Sequence, residues 1–283
     1  MRFSKLHGLG NDFLYIDARQ WRRDLRPLAP SLCDRHRGVG GDGLLLFLGE
    51  LDAPQMRVIN ADGSVPEMCG NGLRCFVKAL VDTHRLEGDE VIVQTDAGAL
   101  RCRFTRDARG KVETVTVDMG RPTLDPAAVP VASNVPLLNH RLTLDDIEVS
   151  VTAVGVGNPH MVIFDPLSTD ERLALGPRLS SHPLWPSQTN VEFCEILPSR
   201  AGEAGRMRCD VYERGCGWTQ ACGTGATAAV FAGVKLGHFQ LGQPVNVELP
   251  GGALTIEVRS DGHALMTGPA VHVYDGAVDL PER

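Results

Sequence analysis

The sequence has few lysines and no long apolar run, and both shortages limit what the protein can do. Four lysines occur among 283 residues, and no Lys/Arg cluster is longer than the segment WRRDLR at 21–26. With a formal net charge of −7, this disfavours a nucleic-acid surface or a membrane-surface patch. No apolar run reaches the roughly 18 residues that a membrane span needs, and the first residues lack a signal-peptide pattern. We therefore expect a cytoplasmic protein whose partner is a small molecule, not a nucleic acid or a membrane.

The sequence also lacks the spacings of common metal and cofactor sites. The short cysteine pairs are C-x5-C and C-x6-C, not the C-x2-C of structural zinc or thioredoxin-like sites. The segment GVGGDG at 38–43 matches G-x-G-x-x-G, but it enters the apolar run LLLFL instead of a helix, which disfavours a dinucleotide site. Lys78 and Lys235 fall inside predicted helices, so a Schiff base with pyridoxal phosphate has little support. We expect no metal and no cofactor, and eight cysteines that are reduced thiols.

An internal repeat is the strongest pattern that the sequence does contain. The segment VINADGSVPEMCGNGLRCFVKAL at 58–80 aligns with VYERGCGWTQACGTGATAAVFAG at 211–233, at an offset of 153. Upstream, GLGNDFLYI at 8–16 aligns with GVGNPHMVI at 155–163, at an offset of 147. Between the halves, residues 119–140 are rich in proline and predict an irregular connection. The repeat predicts two halves of similar fold.

Each half places a cysteine at the start of a predicted helix. Apolar residues follow Cys69 and Cys222 at the spacing of one helical face, and the second helix is apolar nearly all round, which predicts a buried central helix. A helix N-terminus presents unpaired N–H groups and a partial positive charge, so it favours a thiolate and can lower a cysteine pKa from about 8.5 to about 3.5–7.5. The neighbouring glycines leave these N–H groups accessible to a carboxylate or phosphate.

Two matched thiols suit the inversion of a carbon centre. One thiolate removes a proton from one face of an α-carbon, and the opposite thiol returns a proton to the other face. A buried cysteine before a helix is more often structural, but the motif C-G-x-G occurs in both halves although the helices otherwise differ. Cys75 and Cys216 have no counterpart in the repeat, and we interpret both as structural.

The motifs together resemble those of the diaminopimelate epimerases, which interconvert LL- and meso-diaminopimelate without a cofactor on the route to lysine and peptidoglycan. The resemblance covers the whole chain, from FSKLHGLGNDF through NADGSVPEMCGNGLRC, GNPH, TNVEF, YERG and QACGTG to MTGPAVHVYDG. Proline racemases of related sequence typically have histidine where this chain has Asn71. A proline or hydroxyproline racemase of the same fold, and a non-catalytic acid-binding or thiol-redox protein, are the alternatives.

The resemblance implies roles for individual residues. Cys69 and Cys222 would be the acid/base thiols, with His160 and Glu213 as their polar neighbours. Backbone N–H groups would hold the reacting α-carboxylate at Gly70, Asn71, Gly223 and Thr224. Further substrate contacts would come from Asn11, Asn60, Asn158, Asn190, Glu213 and Arg214. An arginine suits the distal carboxylate because its guanidinium can bind both oxygens.

The expected fold is α+β, with two pseudo-symmetric domains, each a mixed, barrel-like β-sheet around a central helix, and the active site in the cleft between them. The first domain is expected at 1–118, completed by strands at 264–283, and the second at 119–263. The sequence leaves undecided whether the chain forms a homodimer. Three departures from the family pattern occur, at Gly43, Cys216 and Trp218, and they bear on the local shape of the cleft.

Overall fold

The computed structural model describes residues 1–19, 21, 23–66, 69–145, 147–200 and 202–280. This part of the chain forms seventeen strands and four α-helices, so the predicted α+β class with a mixed sheet is confirmed. The chain divides into two compact units, Met1–Val117 with Thr267–Arg283 and Asp118–Met266. The assignment of 1–118 with 264–283 and of 119–263 as epimerase domains stays a prediction, and 281–283 lie outside the described residues.

The first unit is a mixed sheet that contains both antiparallel and parallel strand pairs. Its strands are β1 (Arg2–Gly8), β2 (Asn11–Asp17), β3 (Gly43–Gly49), β4 (Pro54–Asn60), β5 (Glu90–Thr95), β6 (Gly98–Arg106), β7 (Val112–Asp118) and, later in the chain, β17 (Val271–Ala277). β1 pairs antiparallel with both β17 and β2, and the sheet continues through a parallel β2–β3 pair and a parallel β4–β5 pair. Antiparallel pairs join β3 to β4, β5 to β6 and β6 to β7.

The first unit has two α-helices, α1 (Ala29–Cys33), preceded by a 3-10 turn, and α2 (Gly70–His84). α2 packs against β1, β2, β3 and β17. Its residues are buried from Gly70 to Val81, and Phe76 lies edge-on to Tyr15 and Phe47 at ring-centre distances of 5.7 and 6.0 Å. The helix is therefore the centre of the unit, as the sequence predicts.

The second unit repeats this strand order. Its strands are β8 (His140–Leu144), β9 (Ile147–Gly155), β10 (Pro159–Ile163), β11 (Asn190–Leu197), β12 (Gly205–Glu213), β13 (Gly217–Thr219), β14 (Val245–Leu249) and β15 (Gly252–Val258), and the boundary with the first unit falls within β16 (Ala264–Pro269). The sequence β9–β10–β11–β12–β14–β15 runs antiparallel, parallel, antiparallel, parallel, antiparallel, which is the pattern of β1–β2–β3–β4–β5–β6.

The second unit also has a central helix, α4 (Gly223–Lys235), and an outer helix, α3 (Thr169–Ser180). α4 packs on β9, β10, β11 and β15 and is buried over most of its length. α3 begins with a capping box between Ser168 and Glu171 and buries Leu175 and Leu179 in a core with Trp185. The predicted buried second helix is confirmed.

The connection after β7 contains no helix between 119 and 139, in agreement with its proline content. The predicted strands after 263 are present as β16 and β17. Within the described ranges, no helix is both long enough and apolar enough to cross a lipid bilayer.

Candidate active site

Cys69 is the N-cap of the central helix of the first unit. It has extended backbone angles, φ −144° and ψ 97°, and its Sγ accepts a hydrogen bond from the N–H of Gly72 at 3.3 Å. The thiol therefore caps the helix N-terminus, a role that serine or aspartate usually has at this position. Gly70 and Asn71, predicted to contribute N–H groups to a carboxylate site, form the first turn behind it and are buried.

Asn11 and Asn71 are brought together beside this helix start. The Asn71 side-chain amide donates to Oδ1 of Asn11 at 3.3 Å, and Asn11 Nδ2 donates to Asp42 at 2.7 Å. Arg74, which is fully buried, donates to Asn71 Oδ1 at 2.9 Å. These bonds fix the amide of Asn11. Asp42 lies in the G-x-G-x-x-G segment. Its bond to Asn11 gives this residue of the segment a structural role that does not involve a nucleotide.

The side chain of Asn60 bonds to a different residue from those that hold Asn11 and Asn71. It is the final residue of β4 and pairs in register with Gly43 of β3. Its side-chain amide donates to the Ser64 hydroxyl at 2.9 Å.

Cys222 repeats the arrangement of Cys69 in the second unit. It is the N-cap of α4, with φ −121° and ψ 112°, and its Sγ accepts from the N–H of Gly225 at 3.3 Å. The Thr224 hydroxyl lies 3.4 Å from the same sulfur. Gly223 is the first, buried residue of α4. Both predicted helix-cap cysteines are thus found at their predicted positions.

The environment of Cys222 differs from the expectation of a lowered pKa. Burial raises the pKa of Cys222 well above its usual value, and the negative charges of Glu213 and Glu192 add to the effect. The Thr224 hydroxyl and the Gly225 N–H act in the opposite direction but do not prevail. The prediction was wrong here because a sequence does not reveal that the thiol is 6% exposed and faces two carboxylates.

Glu213 is the carboxylate that bonds to Cys222. Burial raises the pKa of Glu213, while hydrogen bonds from Thr219 and from the Cys222 thiol lower it. The Thr219 hydroxyl donates to Glu213 Oε1 at 2.6 Å. Since the thiol donates to a carboxylate already held by a second donor, Glu213 is placed to accept the proton of Cys222.

His160 and Asn158 connect to the same helix start. Nε2 of His160 lies 2.8 Å from Asn158 Oδ1, and Asn158 Nδ2 lies 3.4 Å from the Thr224 hydroxyl. His160 is fully buried. The structure therefore joins Asn158, His160, Thr224 and Cys222 in one group.

Asn190 and Arg214 form a second group in this unit. Asn190 Oδ1 accepts from the backbone N–H of Arg214 at 2.8 Å, and the exposed guanidinium of Arg214 donates to the Ser187 carbonyl at 3.1 Å. Asn190 on β11 is in register with His160 on β10, so this group lies at the same end of the sheet as the histidine.

Glu192 was not identified from the sequence. It is fully buried, and its Oε1 lies 2.7 Å from Nδ1 of His160. The available signal was one charged residue inside the apolar stretch of TNVEF. Such a residue in a buried strand needs a partner, but the sequence does not indicate which residue that partner is.

The remaining cysteines are unlike the two caps. All eight are free thiols, and Cys75 is buried, which raises its pKa to about 12. Cys216 is exposed in the turn after β12, and its interpretation as a structural residue stays a prediction. Trp218 packs with Phe193 and Tyr212 at ring-centre distances of 5.7 and 5.5 Å, as part of an aromatic cluster. Among the residues that the structure describes, no group of three His, Cys, Asp or Glu side chains could hold a metal.

Comparison with known families agrees with the motifs. The model of the family described as diaminopimelate epimerase matches residues 3–124 and 152–273. A diaminopimelate epimerase of Heliobacterium modesticaldum is 41% identical over 288 residues, covering 99% of this chain and 100% of the relative. One from Desulforudis audaxviator is 44% identical over 287 residues and covers 98% of both chains.

Solved structures share the fold at low sequence identity. A hydroxyproline epimerase of Agrobacterium vitis, with bound trans-4-hydroxy-L-proline, superposes with a TM-score of 0.70 at 18% identity, covering 98% of this chain and 90% of that one. A PhzF-family phenazine biosynthesis protein of Bacillus anthracis gives a TM-score of 0.71 at 14% identity and covers 99% of both. At these identities the likeness supports the fold alone.

Proposed function

The chain belongs to the diaminopimelate epimerase family, and from that premise we propose that Cys69 and Cys222 are the two thiols that interconvert LL- and meso-diaminopimelate. The observation that carries the proposal is the repeated helix cap. In each unit a cysteine occupies the N-cap of the central helix, with its sulfur bound to the third N–H of the helix. The activity is an isomerisation, and inversion by a two-base mechanism uses one acid/base group on each face of the reacting carbon.

The helix starts supply the electrostatic part of the reaction. The first N–H groups of a helix have no carbonyl partner within the helix, and the helix dipole adds positive charge there. We assign the N–H groups of Gly70, Asn71, Gly223 and Thr224 to the substrate α-carboxylate. Removal of the α-proton places negative charge on the α-carbon and this carboxylate, so donors held rigidly at this point lower the barrier.

Glu213 and His160 assist proton transfer. The raised pKa of Cys222 favours its protonated form, and the hydrogen bond to Glu213 gives that proton an acceptor when the thiolate is needed. In one direction Cys222 delivers its proton to the α-carbon, and in the other Glu213 takes the proton while the thiolate abstracts from substrate. His160, bonded to Asn158, is assigned to the same acid/base chemistry. The reaction proposed for these groups uses no cofactor.

The remaining polar residues bind the substrate. The amides of Asn11 and Asn158 are each held by a residue of the helix start, so both are oriented before substrate arrives. Asn60, Asn190 and the Arg214 guanidinium complete the proposed set, with Arg214 as the anchor of the distal carboxylate.

The test is epimerisation of LL-diaminopimelate in heavy water. We expect the wild-type enzyme to place deuterium in the inverted product while recovered substrate stays largely protiated early on, because the returning proton comes from the second thiol. Cys69→Ala and Cys222→Ala should each abolish inversion, and Cys75→Ala and Cys216→Ala are the matched controls that keep it.

Near wild-type inversion by either cap variant would overturn the two-thiol assignment. Proline and hydroxyproline serve as comparison substrates. Turnover of proline without turnover of diaminopimelate would reject the proposed substrate.

A further inference from the structure

Two positions that correspond in the repeat are apolar in the first unit and polar in the second unit. β2 and β3 pair in parallel with Phe13 opposite Gly43, and β10 and β11 pair with His160 opposite Asn190. Both strands keep the 147-residue offset of the repeat, so Phe13 corresponds to His160, and Leu45 on β3 corresponds to Glu192 on β11. All four side chains are buried. The first unit is an internal reference for the second.

The same correspondence holds for the contact with the central helix. A Cβ placed on Gly72 would lie 2.9 Å from Cδ2 of Leu45, and one on Gly225 would lie 2.7 Å from Oε1 of Glu192. Gly72 and Gly225 are the residues that donate to the cap thiols. Glu192 therefore lies directly against the turn of helix that carries Cys222, where the first unit has a leucine.

The fold does not require this carboxylate. Leu45 fills the equivalent place without a polar atom, and Phe13 fills that of the histidine. Oε2 of Glu192 finds no hydrogen-bond partner within the described part of the chain. Burying a carboxylate with one oxygen unpaired is unfavourable, and replacing a buried polar pair by apolar side chains is often neutral or stabilising. The second unit therefore has a buried polar pair at a place where its own repeat shows an apolar alternative.

The pair is connected to the reacting thiol. Glu192 Oε1 lies 2.7 Å from His160 Nδ1, and His160 Nε2 lies 2.8 Å from Asn158 Oδ1. Asn158 in turn reaches Thr224, whose hydroxyl is 3.4 Å from the sulfur of Cys222. An unbroken series of polar contacts runs from a buried carboxylate to the cap thiol.

We propose that Glu192 is the positioning residue of His160: its carboxylate accepts the Nδ1–H and fixes the ring, so that Nε2–H donates to Asn158 Oδ1. A histidine that donates from both ring nitrogens to fixed acceptors has its ring orientation determined by those two bonds. The inference rests on the proposed function for the reaction, and on the observed contacts alone for the positioning.

The test compares Glu192→Leu, which copies the first unit, with Glu192→Gln, which keeps an acceptor of the same size. We expect kcat to fall at least tenfold in Glu192→Leu and less in Glu192→Gln, with KM changed less than threefold in both. The urea midpoint of Glu192→Leu should be equal to or above that of wild type. Glu195→Gln, on the exposed end of the same strand, is the matched control.

A second measurement is independent of turnover. In protein labelled with 15N-histidine, the hydrogen on Nδ1 of His160, assigned with His160→Phe, should give a downfield, exchange-protected signal that is lost in Glu192→Leu. Wild-type kcat in Glu192→Leu, or a His160 signal that the substitution does not change, would overturn the proposal. Failure of wild-type protein to epimerise diaminopimelate would reject the proposed function but leave the signal as a test of Glu192.

Discussion

At the scale of single residues, the chemistry depends on burial that the sequence does not display. The residue types at both helix caps were predictable, because the repeat shows them twice. The direction of the Cys222 pKa was not, because it follows from Glu213 and Glu192, which reach the thiol from different strands. Glu192 lies 32 residues after His160 and 21 residues before Glu213. Pairing between strands brings these residues together, and no local sequence pattern marks that pairing.

Removing the charge of Glu213 should lower the pKa of Cys222. Alkylation requires the thiolate, so in the wild-type enzyme Cys222 should react with iodoacetamide only at a pH above that of an ordinary cysteine. In Glu213→Gln the rate profile of the Cys222 peptide, followed by mass spectrometry, should move to lower pH while kcat falls about 10²-fold. Glu257→Gln is the control. An unmoved profile would show that the Glu213 charge does not act on the thiol.

Arg214→Lys should raise KM for diaminopimelate about tenfold or more while the unfolding free energy stays unchanged. Lysine retains the charge but cannot bind both oxygens of a carboxylate, and the Arg214 side chain is exposed, so the fold does not depend on it. Steady-state kinetics of Arg214→Lys beside Arg208→Lys, an exposed arginine paired with Glu195, provide the measurement. Unchanged KM would remove Arg214 from the substrate site.

At the scale of elements, the central helices were the most predictable part of the fold. Apolar spacing and the C-G-x-G motif located both helix starts, and the structure begins α2 at Gly70 and α4 at Gly223. The glycines, however, were interpreted as leaving N–H groups accessible. The structure adds a packing reason, since Gly72 and Gly225 each admit a side chain from a neighbouring strand.

Alanine at these two glycines should have unequal effects. A methyl group at 225 meets the carboxylate of Glu192, which is held by His160, whereas one at 72 meets the end of a leucine side chain. Gly225→Ala should therefore lose about 1–3 kcal/mol of unfolding free energy. In Gly72→Ala, the improved helix propensity of about 0.5–1 kcal/mol offsets part of the crowding. Urea unfolding of both variants is the measurement, and equal losses would contradict this account.

At the scale of the whole molecule, the pH dependence of stability should reveal the charged cluster around Asp12. Burial raises the pKa of Asp12, but hydrogen bonds from Arg35 and Lys5 outweigh it and lower the pKa to about 2. Because this lies below the unfolded value of about 3.9, the stabilisation is complete above about pH 4 and is lost as the pH falls towards 2.

Asp12→Asn should accordingly lose about 2 kcal/mol of unfolding free energy at pH 7 and clearly less at pH 3. Urea unfolding at the two pH values measures the difference. Asp24→Asn, which removes an exposed carboxylate bonded to Arg26, should change little at either pH. A deficit of the same size at pH 7 and pH 3 would show that Asp12 acts through packing and not through charge.

The order of strands has a consequence for synthesis on the ribosome. β1 is paired on one side with β17, and Ser4 donates to Asp275 across 271 residues of chain. The second unit, 118–266, is continuous in sequence and can complete its sheet once those residues have emerged. The first unit cannot, because β1 has an unpaired edge until Val271–Ala277 are translated. At about 5–20 residues per second, that edge stays exposed for many seconds, so the earliest strand of the nascent chain is the segment most in need of chaperone protection.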